Sequence, residues 1–152
     1  MRGDQFVLRR PAKIDFRMVF DQTPGMCLIL DTSFNIIAQN AEHARATLTT
    51  SKHVVGRWLF EVFPDKDDSR ANGVSLVRQS LLNVLRTRKI DVMPIVRFDV
   101  QSESGEFQPR YWAITNTPIL GPDEFVAWII NRAQDVTEYV LAGETRFHKP
   151  SF

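Results

Sequence analysis

The sequence has a single cysteine, Cys27, in 152 residues. One thiol can neither close an internal disulfide nor supply a Cys-based structural zinc site, and it suits a reducing compartment, so the cytosol is the expected location. An excess of charge of one sign is also missing: 19 Lys and Arg stand against 18 Asp and Glu, a net of +1. Without a global field to gather phosphates, nucleic acid is not expected as a main partner. No apolar run approaches the roughly 18 residues of a membrane span. The most apolar stretches, Met26–Leu30 and residues 125–130, are strand-sized, and Met1-Arg2-Gly3-Asp4-Gln5-Phe6 leads into no signal-peptide core. Seven glycines and eight prolines are too few for a fibrous or low-complexity chain. There is no internal repeat. One globular domain with a substantial core is therefore expected.

Catalytic signatures are missing as well. The chain has no Gly-x-Ser-x-Gly, no His-Glu-x-x-His, no phosphate-binding glycine loop, no metal-ligand spacing and no kinase motif. The run Asp65-Lys66-Asp67-Asp68 lacks the glycine and the later bidentate Glu of a calcium loop, which makes it a solvated connection. The chain is not expected to be an enzyme.

What is present changes period along the chain. Residues 6–22 are split by Pro11; beyond it Phe16, Val19 and Phe20 at i, i+3 and i+4 predict a short amphipathic helix ending before Thr23-Pro24-Gly25. Met26–Leu30 and residues 34–39 flank the turn-forming Asp31-Thr32-Ser33 and predict a β-hairpin. Asn40 is a ready N-cap for a helix over 41–50, and residues 54–63 place Val55, Trp58, Leu59, Val62 and Phe63 at helical spacing. After the charged connection, Val74, Val77, Leu81, Val84 and Leu85 mark the most regular helix, over 74–88. Alternation then predicts three long strands: one through Val92, Val96, Phe98 and Val100, one over 107–120, and one over 124–136. Their turns contain Gly105 and Gly121-Pro122-Asp123. Thr137 is the expected N-cap of an exit helix, which Gly143 and Pro150 are expected to stop early.

This order resembles a PAS domain, the sensory module of bacterial histidine kinases and related signalling proteins. The likeness is carried by Phe20…Pro24, by Leu30-Asp31 with Ile36-Ile37 and Asn40-Ala41, and by Gly56-Arg57 before Leu59-Phe60-Glu61. Above all, Asp135-Val136-Thr137-Glu138 looks like the Asp-x-Thr exit motif. The stretch Arg110-Tyr111-Trp112…Asn116-Thr117-Pro118 is also similar to PAS domains found upstream of kinase modules, and the match spans roughly residues 15–141. The resemblance implies an α+β fold: a five-stranded antiparallel sheet with helices covering one face, plus a short N-terminal flanking helix. It divides the chain into a tail and flanking amphipathic helix (1–22), the PAS domain (23–138) and an exit segment (139–152).

The function so implied is a non-catalytic sensory module. It binds a small ligand or partner and relays the signal through flanking helices, paired in a homodimer, to a histidine kinase or similar output. Asp135 and Thr137 then anchor the outgoing helix and form the relay. One alternative is a dimerisation or interaction module with a filled core, for which the eleven Phe and three Trp provide bulk. Another is a small cavity enzyme of ketosteroid-isomerase type, with Tyr111 beside Asp99 or Asp91 as its acid–base pair. The cofactor is left open. Haem would need an axial histidine from the long helix, whereas the histidines are His43, His53 and His148. A flavin-adduct sensor of the LOV type would carry Asn-Cys-Arg-Phe where this chain reads Asn40-Ala41-Glu42-His43, and Cys27 lies in an apolar run where a thiol packs as a small hydrophobe.

The residues expected to meet a ligand are Asn116, Trp112, Trp128, Arg78 and Arg97, with Asn83 and Asn131 weighed beside them. Asn116 leads because it stands between Ile114 and Pro118, where an inward-facing amide must find a partner. Core or interface packing competes for both tryptophans, and a surface ion pair competes for Arg97 and Arg110. Counting by twos separates Trp112, Ile114 and Asn116 from Tyr111 and Ala113, and Trp128 from Asn131. Both faces carry apolar residues, so the period does not choose the concave one.

Overall fold

The computed structural model describes residues 13–65, 72–101 and 104–147. The N-terminal tail, most of the charged connection, the tip of the 102–106 turn, His148 and Pro150 lie outside the described residues. Asp15 starts the first helix, α1 (Phe16–Gln22), its carboxylate accepting from the N–H groups of Arg17 and Met18. The two apolar runs that follow form β1 (Met26–Leu30) and β2 (Ile36–Gln39). Asp31 closes the turn between them by accepting from the N–H groups of Ser33 and Asn35. Burial pushes the Asp31 carboxyl up, but these bonds and one from the Asn35 side chain outweigh it and hold it below its ordinary value.

Asn40 caps α2 (Ala41–Thr47), which ends sooner than its composition suggests because Leu48 turns left-handed at φ 54°. The helical spacing over 54–63 resolves into two single turns, α3 (Ser51–Val54) and α4 (Leu59–Val62). Gly56, at φ 88°, turns the chain between them. The predicted long helix is α5 (Gly73–Thr87), burying Val77, Ser80, Leu81 and Val84 along one stripe.

The remaining strands are β3 (Asp91–Val92), β4 (Val96–Arg97), β5 (Val100–Gln101), β6 (Phe107–Gln108), β7 (Tyr111–Leu120) and β8 (Val126–Asp135). The strand expected through 92–100 is broken, and the one expected over 107–120 begins its main ladder only at Tyr111. Pro94 and Pro109 sit at the breaks, where the ring leaves no N–H for a ladder. The main sheet is antiparallel in the order β2-β1-β8-β7-β3, with β4 sharing the last position on β7, while β5 and β6 pair apart. This is the expected α+β arrangement. The exit helix, α6 (Thr137–Phe147), runs through Gly143 instead of stopping there. One glycine costs a helix only about 1 kcal/mol, too little to end it.

One sheet face packs against the helices. Leu28, Leu30, Ile36, Leu81, Val84 and Ile129 are fully buried there, with Trp112 and Ile114 beside them. The other face leaves Ile37, Val92 and Trp128 exposed, and α1 exposes Phe16, Met18 and Val19. No helix among the described residues is long and apolar enough to cross a membrane.

Candidate ligand cavity

Between the inward sheet face and helices α2, α4 and α5 lies a cavity of about 820 Å³. Small-molecule sites occupy roughly 300–1,000 Å³, so this space is of ligand size. Its wall is mainly apolar: Leu28, Leu59, Phe60, Val77 and Ile114 all face it. Gly73, at the start of α5, leaves the Phe98 ring room, since a Cβ there would overlap that ring.

Among the polar groups on this wall, His43 and Asn131 are each held from behind. His43 is placed by Asn40, whose Oδ1 accepts from His43 N and Cys27 N while its Nδ2 donates to the carbonyls of Thr23 and Gly25. This one buried amide ties the start of α2 to β1. The His43 ring packs edge-on against Phe63 and meets Gln39 Nε2 at 2.9 Å through Nδ1. Burial pushes His43 down from 6.5 to about 4, so it is neutral near pH 7. Asn131, on β8, donates from Nδ2 to Asn116 Oδ1 at 2.7 Å, and Asn116 donates to Ser80 Oγ at 2.9 Å. Ser80 Oγ and Asn83 Nδ2 both donate to the Asp91 carboxylate. Gln39, Leu28, Asn131, Asn116 and Asp91 are direct partners in one row across the sheet.

At the exit, Asp135 Oδ1 accepts from the Thr137 N–H and hydroxyl, at 2.9 and 2.5 Å. Thr137 is the first residue of α6 and not its cap; its Oγ1 accepts from Tyr111 N at 2.9 Å. The motif thus fastens the exit helix to β7, and Arg110 reaches Asp135 at 3.4 Å.

A sheet with one concave face under short helices, a helix leaving from the last strand and the Asp135–Thr137 clasp give a definite comparison. The family model of the PAS fold matches residues 20–141. This chain belongs to the PAS fold family. Among solved structures, this PAS chain is similar to the sensory box sensor histidine kinase from Vibrio cholerae, with 15% identity and a TM-score of 0.56 over 80% of this chain and 89% of that one. It is also similar to a PAS domain of a Colwellia psychrerythraea protein, with 11% identity and a TM-score of 0.60 over 80% and 93% of the two chains. The Rhodobacter sphaeroides LOV protein matches with 18% identity and a TM-score of 0.58 over 84% and 72%. No curated protein matches the sequence.

Within this PAS fold the ligand candidates separate. Trp112 and Arg97 line the cavity, and Arg97 pairs with Asp99 at 3.0 Å on its solvent-exposed side. Asn116 is fully buried behind the wall, its amide held between Ser80 and Asn131. Trp128 is 47% exposed on the opposite sheet face, since β8 turns Ile129 and Asn131 inward, and Arg78 is exposed on the outer side of α5. Neither Trp128 nor Arg78 is brought to the cavity. Cys27 is buried facing away from it, opposite Arg132, with its thiol pushed up by burial. Tyr111 points away from the cavity and Asp91 is tied to Ser80 and Asn83, so the acid–base pair weighed for an enzyme is not assembled there.

His43 was not legible as a wall residue, nor Gln39 as the partner that orients it. The register slips between Ile29 and Leu30, leaving Ile37 as an extra residue on β2, so Ile36 and Gln39 face the same way although three apart. Alternation alone would separate them. The Asn40 cap, with His43 three residues on, was the available signal.

Proposed function

We propose that this chain is a sensory PAS module that binds a small molecule in the cavity over Leu28 and Ile114 and passes the bound state to an output partner such as a histidine kinase. The observation that carries this reading is the ligand-sized, mainly apolar cavity with His43 and Asn131 positioned on its wall. The open space favours a ligand over a filled core. Asp135 and Thr137 form the relay, because they join α6 to the β7–β8 ladder that floors the cavity. The lone cysteine supports a cytosolic setting. A homodimer through α1 is supported by its exposed Phe16, Met18 and Val19, and a chain shortened to begin at Thr23 should then sediment as a monomer.

Native mass spectrometry of freshly purified protein, compared with the denatured chain, tests the ligand reading. The expected result is extra mass that is lost on denaturation and absent from an Ala133→Phe variant, whose added ring occupies the cavity. Equal bound mass in the variant would count against this site.

A further inference from the structure

We infer that the cavity selects an uncharged, mostly apolar small molecule with one hydrogen-bond acceptor and one hydrogen-bond donor, the acceptor meeting His43 Nε2–H and the donor meeting Asn131 Oδ1. This rests on the reading of the cavity as a ligand site and deepens it.

The polarity of each wall group follows from a chain of hydrogen bonds with only one consistent direction. Thr47 Oγ1 lies 2.7 Å from the carbonyl oxygen of His43, which can only accept, so Thr47 spends its proton there. Thr49 Oγ1, 2.8 Å from Thr47 Oγ1, must then be the donor of that pair. Having given its proton, Thr49 accepts at 2.7 Å from Gln39, which identifies the Gln39 atom as the amide nitrogen. The same nitrogen lies 2.9 Å from His43 Nδ1 and turns its second hydrogen to it, so Nδ1 accepts and the ring proton sits on Nε2. His43 is only 5% exposed and lines the cavity, and among the described residues Nε2 has no protein partner. No sealed side-chain nitrogen or oxygen among them lacks a bond, so Nε2 is open to the cavity.

The second chain runs from the carboxylate of Asp91. Ser80 Oγ donates to it and therefore accepts from the Asn116 amide nitrogen. Asn116 turns its oxygen toward Asn131, which donates its nitrogen, leaving Asn131 Oδ1 on the cavity side without a partner among the described residues. Asn131 is 7% exposed. Both atoms reach the open space of the cavity, so a ligand that displaces water from it must match them or leave them unpaired. Gln39, which holds the His43 ring, and Asn131 flank Leu28 in the same row, their backbones two strand spacings or about 9–10 Å apart, so the complement carries its acceptor and its donor on different sides of an apolar body. A charge is disfavoured because His43 is neutral, Arg97 and Asp99 pair with each other, and the Asp65 carboxylate accepts from the Val74 N–H.

The test uses four matched one-ring probes in NMR titrations of the full chain: 4-hydroxyacetophenone, 4-methylacetophenone, 4-ethyltoluene and 4-hydroxybenzoate. The expected order is tightest for 4-hydroxyacetophenone, with each hydrogen bond worth roughly three- to tenfold in affinity. His43→Phe should erase the preference for 4-methylacetophenone over 4-ethyltoluene, and Asn131→Leu the preference for 4-hydroxyacetophenone over 4-methylacetophenone. If 4-ethyltoluene or 4-hydroxybenzoate binds as tightly as 4-hydroxyacetophenone, the ligand class is overturned while the cavity remains a binding site. If no probe shifts a cavity resonance, both readings fall. The ring nitrogen shifts of His43 in the unmodified protein are a check independent of any variant: a proton on Nδ1 near pH 7 would overturn the donor assignment.

Discussion

Asn131 donates to Asn116 at 2.7 Å, directly across the β8–β7 ladder, and neither amide is more than slightly exposed. The pair links the cavity wall to Ser80 on α5 and Asp91 at the β3 edge of the sheet. Asn116→Leu takes the acceptor from the Asn131 nitrogen and leaves Ser80 Oγ with only its bond to Asp91, and should cost about 2–3 kcal/mol in urea denaturation. An Asn116→Ala and Asn131→Ala double-mutant cycle should show a coupling of about 1–2 kcal/mol; additivity would break the claimed ladder.

The His43 imidazole should make stability rise with pH. Its folded value is pushed down to about 4 from 6.5, so between these values the unfolded chain binds more protons. The contribution is full above the unfolded value and is lost as pH falls toward about 4, a change on the order of 3 kcal/mol. Comparing urea midpoints of the wild type and His43→Phe across this window isolates the histidine from the carboxylates. Parallel curves would contradict its burial.

Thr137→Val removes the acceptor for Tyr111 N–H and the donor to Asp135, and should cost about 1–2 kcal/mol. Hydrogen exchange at the Tyr111 amide should quicken along with fraying of α6, whereas Thr137→Ser should keep both slow. A Val variant with unchanged exchange at Tyr111 would remove the clasp.

Gly73→Ala should destabilise by about 1–3 kcal/mol despite alanine's better helix propensity, because the new Cβ overlaps the Phe98 ring. Adding Phe98→Leu should recover most of the loss. Thermal unfolding of the single and double variants checks this.

Much of the fold was legible because its signals are local. The stripe from Val74 to Leu85 needs only the helical period, Asn40 only the chemistry of a cap, and residues 107–136 only alternation and turn residues. The departures also have local causes: Pro94 and Pro109 at the strand breaks, Gly56 between two single turns, and the small cost of Gly143 in a helix. The site was less legible. Trp112 and Trp128 look alike in sequence, yet one lines the cavity and the other faces away from it.

By itself the sequence determined the class of elements, their order and the exit motif, since each depends on residues within a few positions of one another. Only the tertiary structure decided which sheet face is concave, because both faces of β7 and β8 carry apolar side chains and the helices choose between them. It also decided the polarity of the cavity wall. His43 and Asn131 owe the orientation of their open atoms to Thr49, Gln39, Ser80 and Asp91, which reach them through short helices and neighbouring strands. A hydrogen bond has a direction only once its partners are in place, and here they come together only in the folded chain.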